Sequence, residues 1–123
     1  MILVDTSIWI DHLRQHDERL SQLLNQGQVL GHPFVTGELA LGNLQNRDVV
    51  LGALQNLPQA PLASENEVFG FIRQNALYGL DIGYVDAHLL AAARLAPGTT
   101  LWTRDKRLLS TDSRLGLAET AAH

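Results

Sequence analysis

The chain has no cysteine, few aromatics (6%) and only four prolines among its 123 residues. Without cysteine there are no disulfides, no thiolate metal sites and no cysteine nucleophile, and a reducing compartment, the cytoplasm, is expected. Long apolar runs are missing as well. The longest resemble Met1-Ile2-Leu3-Val4 and Leu89-Leu90-Ala91-Ala92-Ala93, far too short to span a bilayer. Asp5 and Asp11 interrupt the N-terminal apolar stretch and no basic region precedes it, so no secretory leader is expected. No repeat, low-complexity tract or Ser/Gly linker divides the chain, and residues 1–123 read as one domain. Neither G-x-x-x-x-G-K-[ST] nor G-x-G-x-x-G occurs, which removes the usual nucleotide cradles. Basic residues are scarce: nine Lys+Arg face thirteen Asp+Glu, a net charge of −4. Taken alone, that balance argues against a nucleic-acid partner.

What is present is a repeated alternation of short strands and helices. Met1–Val4 reads as a buried strand ending at Asp5. Thr6 and Ser7 offer N-caps for a helix carrying Ile8, Trp9 and Leu13, and Gly27 closes a second helix. Val29-Leu30 is a further strand. Pro33 opens a helix to about Gln45, and another helix spans Asp48 to Asn56. Ser64 and Glu67 have capping-box spacing for a helix ending near Tyr78-Gly79. The next helix runs from Tyr84 to Leu95, stopped by Pro97-Gly98. Thr99–Thr103 is a strand, a short helix follows Asp105, and Gly116-Leu117-Ala118 adds an edge strand. The expected fold is α/β: a short, mostly parallel sheet with helices on both faces.

Four acids stand apart from the solvated ones. Glu38 has Phe34, Val35, Leu41 and Gly42 as helical neighbours, and Asp86 has Ile82, Gly83, Leu89 and Leu90. Both carboxylates are expected to face packed surfaces, which requires a cation, a proton or an ion pair. A distant Arg73 or Arg94 would supply the ion pair. Asp5 and Asp105 follow apolar strands, where the carboxyl ends of a parallel sheet border a ligand crevice. Each also has an ordinary role, Asp5 in a turn and Asp105 as an N-cap. Four carboxylates converging without cysteine favour a hard cation, Mg²⁺ or Mn²⁺. Such a site serves phosphodiester hydrolysis.

Val4-Asp5-Thr6-Ser7, Gly37-Glu38-Leu39, Val85-Asp86-Ala87-His88-Leu89-Leu90-Ala91 and Trp102-Thr103-Arg104-Asp105 resemble, in order and spacing, the four acidic motifs of PIN domains. In particular they resemble the VapC toxins of bacterial type II toxin–antitoxin modules. The resemblance implies a PIN-like three-layer fold and a Mg²⁺-dependent endoribonuclease. It also implies a homodimer, held inactive by a VapB-type antitoxin whose C-terminal segment enters the active-site groove. Carried over, Asp5 and Asp86 are the principal metal ligands, Glu38 and Asp105 complete the pocket, and Thr6 or Ser7, with Thr103, match its small hydroxyl positions. Arg104, Lys106 and Arg107 flank Asp105 and are candidates to steer the RNA backbone. Two other readings stand beside this one. A catalytically inactive PIN-like binding module would use the acids only to organise structure. A small Mg²⁺-dependent phosphatase or receiver-like domain would need a second acid near Asp5 and a lysine, whereas Asp5-Thr6-Ser7 lacks the acid and Lys106 is the sole lysine.

Overall fold

Adjacent strand residues point to opposite faces of a sheet, yet Leu3 and Val4 are both fully buried. Their sheet must therefore be covered on both sides. The computed structural model describes residues 1–119. The sheet comprises β1 (Ile2–Val4), β2 (Val29–Leu30) and β3 (Thr100–Trp102), all parallel, in the order β2-β1-β3. Ile2 pairs with Val29 and Thr100, Leu3 with Leu30 and Leu101, and Val4 with Trp102. The helices among the described residues are α1 (Thr6–Arg14), α2 (Glu18–Asn25), α3 (Pro33–Ala40), α4 (Arg47–Asn56), α5 (Glu65–Gln74), α6 (Tyr84–Leu95) and α7 (Lys106–Arg114). This is the α/β architecture expected from the alternation.

β1 is central and the chain leaves it toward β2 on one side and β3 on the other. The order of strands thus switches direction beside β1, and the carboxyl ends of strands at such a switch point, here β1 and β3, are where α/β sheets bind ligands. α6 is apolar nearly all round, with Ala87 through Ala93 buried, so it forms the wall behind the sheet rather than a surface helix. Leu3, Ile8, Leu20, Leu89, Leu90, Leu101 and Leu108 are the largest fully buried side chains.

Several expected boundaries shift. α3 stops at Ala40, well before Gln45, because the Arg47 guanidinium donates to the Ala40 carbonyl at 2.5 Å and to the Gly42 carbonyl at 3.3 Å. Leu41 consequently lies off the helix and is 91% exposed. α5 ends at Gln74 instead of Tyr78-Gly79, since Ala76 adopts a left-handed φ of 51°. The Leu77 amide then closes back onto the Ile72 carbonyl at 3.0 Å. Gly116–Ala118 forms one parallel bridge from Ala118 to Leu101 rather than a strand.

Candidate active site

Asp5 sits where β1 ends and α1 begins. Its amide continues the ladder to the Trp102 carbonyl at 3.0 Å, which fixes the residue against the end of β3. Asp5 occupies the N-cap position of α1, in place of Thr6 or Ser7, but its side chain makes no capping hydrogen bond. Instead Oδ2 accepts from the Ser7 hydroxyl at 2.8 Å and the Thr103 hydroxyl at 2.7 Å. Those hydroxyls in turn accept from backbone: Arg104 N–H reaches Ser7 Oγ at 3.1 Å, and Asp105 N–H reaches Thr103 Oγ1 at 3.1 Å. The ends of β1 and β3 and the starts of α1 and α7 are thereby tied to one carboxylate.

The other three acids follow the same pattern. Glu38 Oε1 accepts from the Thr6 hydroxyl at 2.7 Å. Asp86 Oδ2 accepts from Gly83 N–H at 2.9 Å. Asp105 Oδ1 accepts from Arg107 N–H at 3.0 Å and Leu108 N–H at 3.1 Å, capping α7. Each carboxylate thus commits one oxygen to a hydrogen bond that orients it, and the second oxygen takes no such bond among the described residues.

The four charges feel one another. The Asp86 carboxyl is pushed above the usual range, first by burial, against the opposing Gly83 N–H, and then by the charges of Asp5, Asp105 and Glu38. Asp5, Asp86 and Asp105 also stand at or near the N-termini of α1, α6 and α7, whose dipoles favour negative charge. Among the described residues no Lys or Arg pairs with any of the four acids. The expected partner Arg94 instead donates to the Leu115 carbonyl at 3.0 Å and lies over the Phe71 ring.

Two expectations about these residues are corrected. Glu38 is exposed rather than turned into the core, because α3 ends two residues later and Leu41 no longer covers it. Asp86 is half-buried. The flanking cations are largely engaged elsewhere. Arg104 pairs with Asp11 at 3.1 Å and Asp17 at 3.0 Å, and Arg107 pairs with Asp81 at 2.5 Å. Lys106 is exposed and has no ion pair among the described residues.

Asp112 is the acid that sequence reading passed over. It is fully buried, and neither of its carboxyl oxygens has a hydrogen-bond partner in the protein. Burial and the Asp5 charge push its carboxyl up to about 7. The neighbour test that singled out Glu38 finds it too: Leu108, Leu109, Leu115 and Gly116 flank it on the helix.

Oxygen-only donors with no competing cation match the preferences of Mg²⁺ or Mn²⁺. Among the described residues, no three His, Cys, Asp or Glu groups stand tightly enough to ligate an ion as they are. Mg²⁺ suits such an open arrangement, since it retains several waters and takes few direct carboxylates.

The fold and this crevice define a class, and comparison with known proteins assigns it. Residues 2–113 match the PIN domain family, and the chain belongs to that family. Within it, the chain is similar to Ribonuclease VapC32 of Mycobacterium tuberculosis, in two strains, with 48% identity over 118 residues. The match spans 96% of this chain and 95% of the relative, which sets the chain among VapC-type proteins. A solved structure described as the crystal structure of FitAcB from Neisseria gonorrhoeae shares the fold. It has a TM-score of 0.63 and 24% identity, and the match covers 92% of this chain and 94% of that one.

Proposed function

We propose that residues 1–123 form one PIN-like domain, a Mg²⁺-dependent endoribonuclease that acts as the toxin of a type II module in the cytoplasm. The observation that carries this reading is the shared habit of Asp5, Glu38, Asp86 and Asp105 among the described residues: one oxygen oriented, the other left without a hydrogen bond, and no Lys or Arg paired with them. Asp5, Asp86, Glu38 and Asp105 would hold the ion. When bound, a divalent cation neutralises charge on the scissile phosphate and acidifies an attacking water. The chain contributes the orientation. Ser7 and Thr103 fix the rotation of the Asp5 carboxylate, Thr6 draws Glu38 toward α1, and the α7 cap fixes Asp105. Preorganised charge of this kind is the usual main source of catalysis in such sites. Asp5→Asn or Asp86→Asn is expected to lower RNA cleavage at least about a hundredfold with folding intact, and chelation to abolish it until Mg²⁺ or Mn²⁺ returns. Parental cleavage by either folded variant would overturn the site.

A cleft of about 500 Å³ opens beside Glu38, walled by Ile10, Leu13, Leu39 and Leu44, with Arg14 at its edge. Ile10 and Leu13 are 36% and 40% exposed there. Apolar walls ending at a carboxylate suit a peptide with an apolar anchor and a basic side chain, which supports neutralisation by a VapB-type antitoxin segment. Leu41 and Val49, 91% and 73% exposed on neighbouring segments, support a homodimer.

A further inference from the structure

We propose that Tyr84 and Phe69 form a stacking platform for an unpaired base of the RNA, at the outer end of a row of rings that starts beside the acidic crevice. The proposal rests on the ribonuclease reading and adds a substrate-binding position to it. Phe69, Tyr84, His88, Phe34 and His32 touch in sequence, edge to face, with ring centroids 6.2, 4.7, 4.6 and 5.2 Å apart. The inner members are core: His32 is fully buried and His88 is 5% exposed. The outer two are open, Tyr84 at 49% and Phe69 at 51%. The chain has only seven Phe, Trp and Tyr residues, and three of them lie in this row.

The position of the row relates it to the site. Phe34 lies one turn before Glu38 on α3, so the two share a helix face. Tyr84 opens α6, whose third residue is Asp86. The row therefore meets the site through Phe34 and Glu38, while Tyr84 and Asp86, two apart, lie on different sides of α6. Tyr84 is held edge-on by His88 on one side and Phe69 on the other, which fixes its orientation before any ligand arrives and lowers the entropic cost of binding. Single-stranded RNA is recognised through unstacked bases laid on aromatic faces, with little dependence on which base is present. On α5, Glu65 lies one turn before Phe69 and Arg73 one turn after it, so the patch carries no net positive charge. Its contribution should come from stacking and be insensitive to salt, unlike a phosphate contact.

The test uses the full chain with Mg²⁺ and a set of single-stranded RNA oligonucleotides, each with one abasic position. For the parent, one abasic position near the cleaved bond is expected to raise KM about tenfold with kcat changed by less than about twofold. Tyr84→Ala and Tyr84→Leu should raise KM on intact RNA by a similar factor, lose sensitivity at that same position, and keep the parental salt dependence. Tyr84→Trp should retain the parental profile, and Phe69→Ala should weaken it. Melting curves establish that each variant is folded, and Phe69→Ala tests the platform independently if a Tyr84 variant is not. An unchanged abasic profile in the folded Tyr84 and Phe69 variants overturns the platform while leaving the ribonuclease reading intact. So does a lower molar mass of Tyr84→Ala in light scattering, which would assign the patch to contact between copies. If the parent neither cleaves nor binds any of the oligonucleotides, the ribonuclease reading itself falls, and the platform with it.

Discussion

Asp112 and His32 are both fully buried, yet burial moves their protonation in opposite directions. Asp112 rises from 3.8 to about 7. His32 falls from 6.5 to about 4, through burial and then the nearby His88. Its Nδ1 accepts from Phe34 N–H at 3.0 Å and caps α3, which a neutral ring can do and a protonated one cannot. The raised Asp112 pKa means that the folded chain keeps a proton the unfolded chain has lost. Its contribution to stability is complete below about pH 4 and is lost as pH rises toward 7. For His32 the contribution is complete above about pH 6.5 and is lost as pH falls toward 4. The two slopes oppose each other over one window and partly cancel in the parent. Asp112→Asn removes one slope. The variant is expected to be more stable than the parent near neutral pH by about 1–3 kcal/mol. It should lose that advantage by about pH 4 and fall more steeply on acidification. Thermal melts across that range check it, and a pH-independent difference would refute the Asp112 assignment.

At the scale of elements, helix ends decide both the boundaries and the site. Glycine and capping patterns mark the ends they control: Gly27 and Gly116 take the left-handed positions after α2 and α7, and Ser64 with Glu67 forms the reciprocal box that starts α5. Ends set by tertiary contacts or unusual residues are not marked in this way. Arg47 terminates α3 from beyond it, and Ala76 takes the left-handed position usually held by glycine. Asp105 shows how one residue serves an element and a site together. Asparagine caps a helix about as well as aspartate, whereas alanine does not. Asp105→Asn should therefore leave stability within about 0.5 kcal/mol of the parent while lowering cleavage. Asp105→Ala should lose a further ~1 kcal/mol. Denaturant melts and cleavage rates on the same two variants separate the cap from the charge. Equal cleavage by Asp105→Asn and the parent would reduce Asp105 to a cap.

For the whole molecule, the acidic balance has a location. The four acids of the crevice equal the entire excess of −4, so the rest of the chain is formally neutral. Their mutual repulsion is a cost that a bound cation removes, and an ion that binds only the folded state stabilises it by mass action. Mg²⁺ or Mn²⁺ should raise the melting temperature of the parent by several degrees and that of Asp86→Asn by much less, while NaCl at matched ionic strength should not reproduce the difference. Because Asp86 is pushed up by burial and by its neighbours, metal binding should weaken as pH falls through its titration. Leu41 and Val49 bear on assembly: light scattering should give a dimer for the parent and a lower mass for Leu41→Glu. A monomeric parent would remove the dimer. No helix among the described residues is long and apolar enough to cross a membrane.

The sequence alone determined the alternation of strand and helix and the candidacy of four acids, because periodicity, caps and carboxylates beside apolar neighbours are local properties. It equally contained Asp112, by the same local test. What only the tertiary structure decided is which atoms meet. Thr103 Oγ1 and Asp5 Oδ2 lie 98 residues apart in sequence and 2.7 Å apart in space, a contact made by the pairing of β1 with β3. Glu38 came out exposed because Arg47 ended its helix early, and Arg104 was drawn to Asp11 and Asp17. The row of rings from His32 to Phe69 joins α3, α6 and α5. Spacing along the chain gives two of its contacts, His32 with Phe34 and Tyr84 with His88; the other two, Phe34 with His88 and Phe69 with Tyr84, depend on how the helices pack.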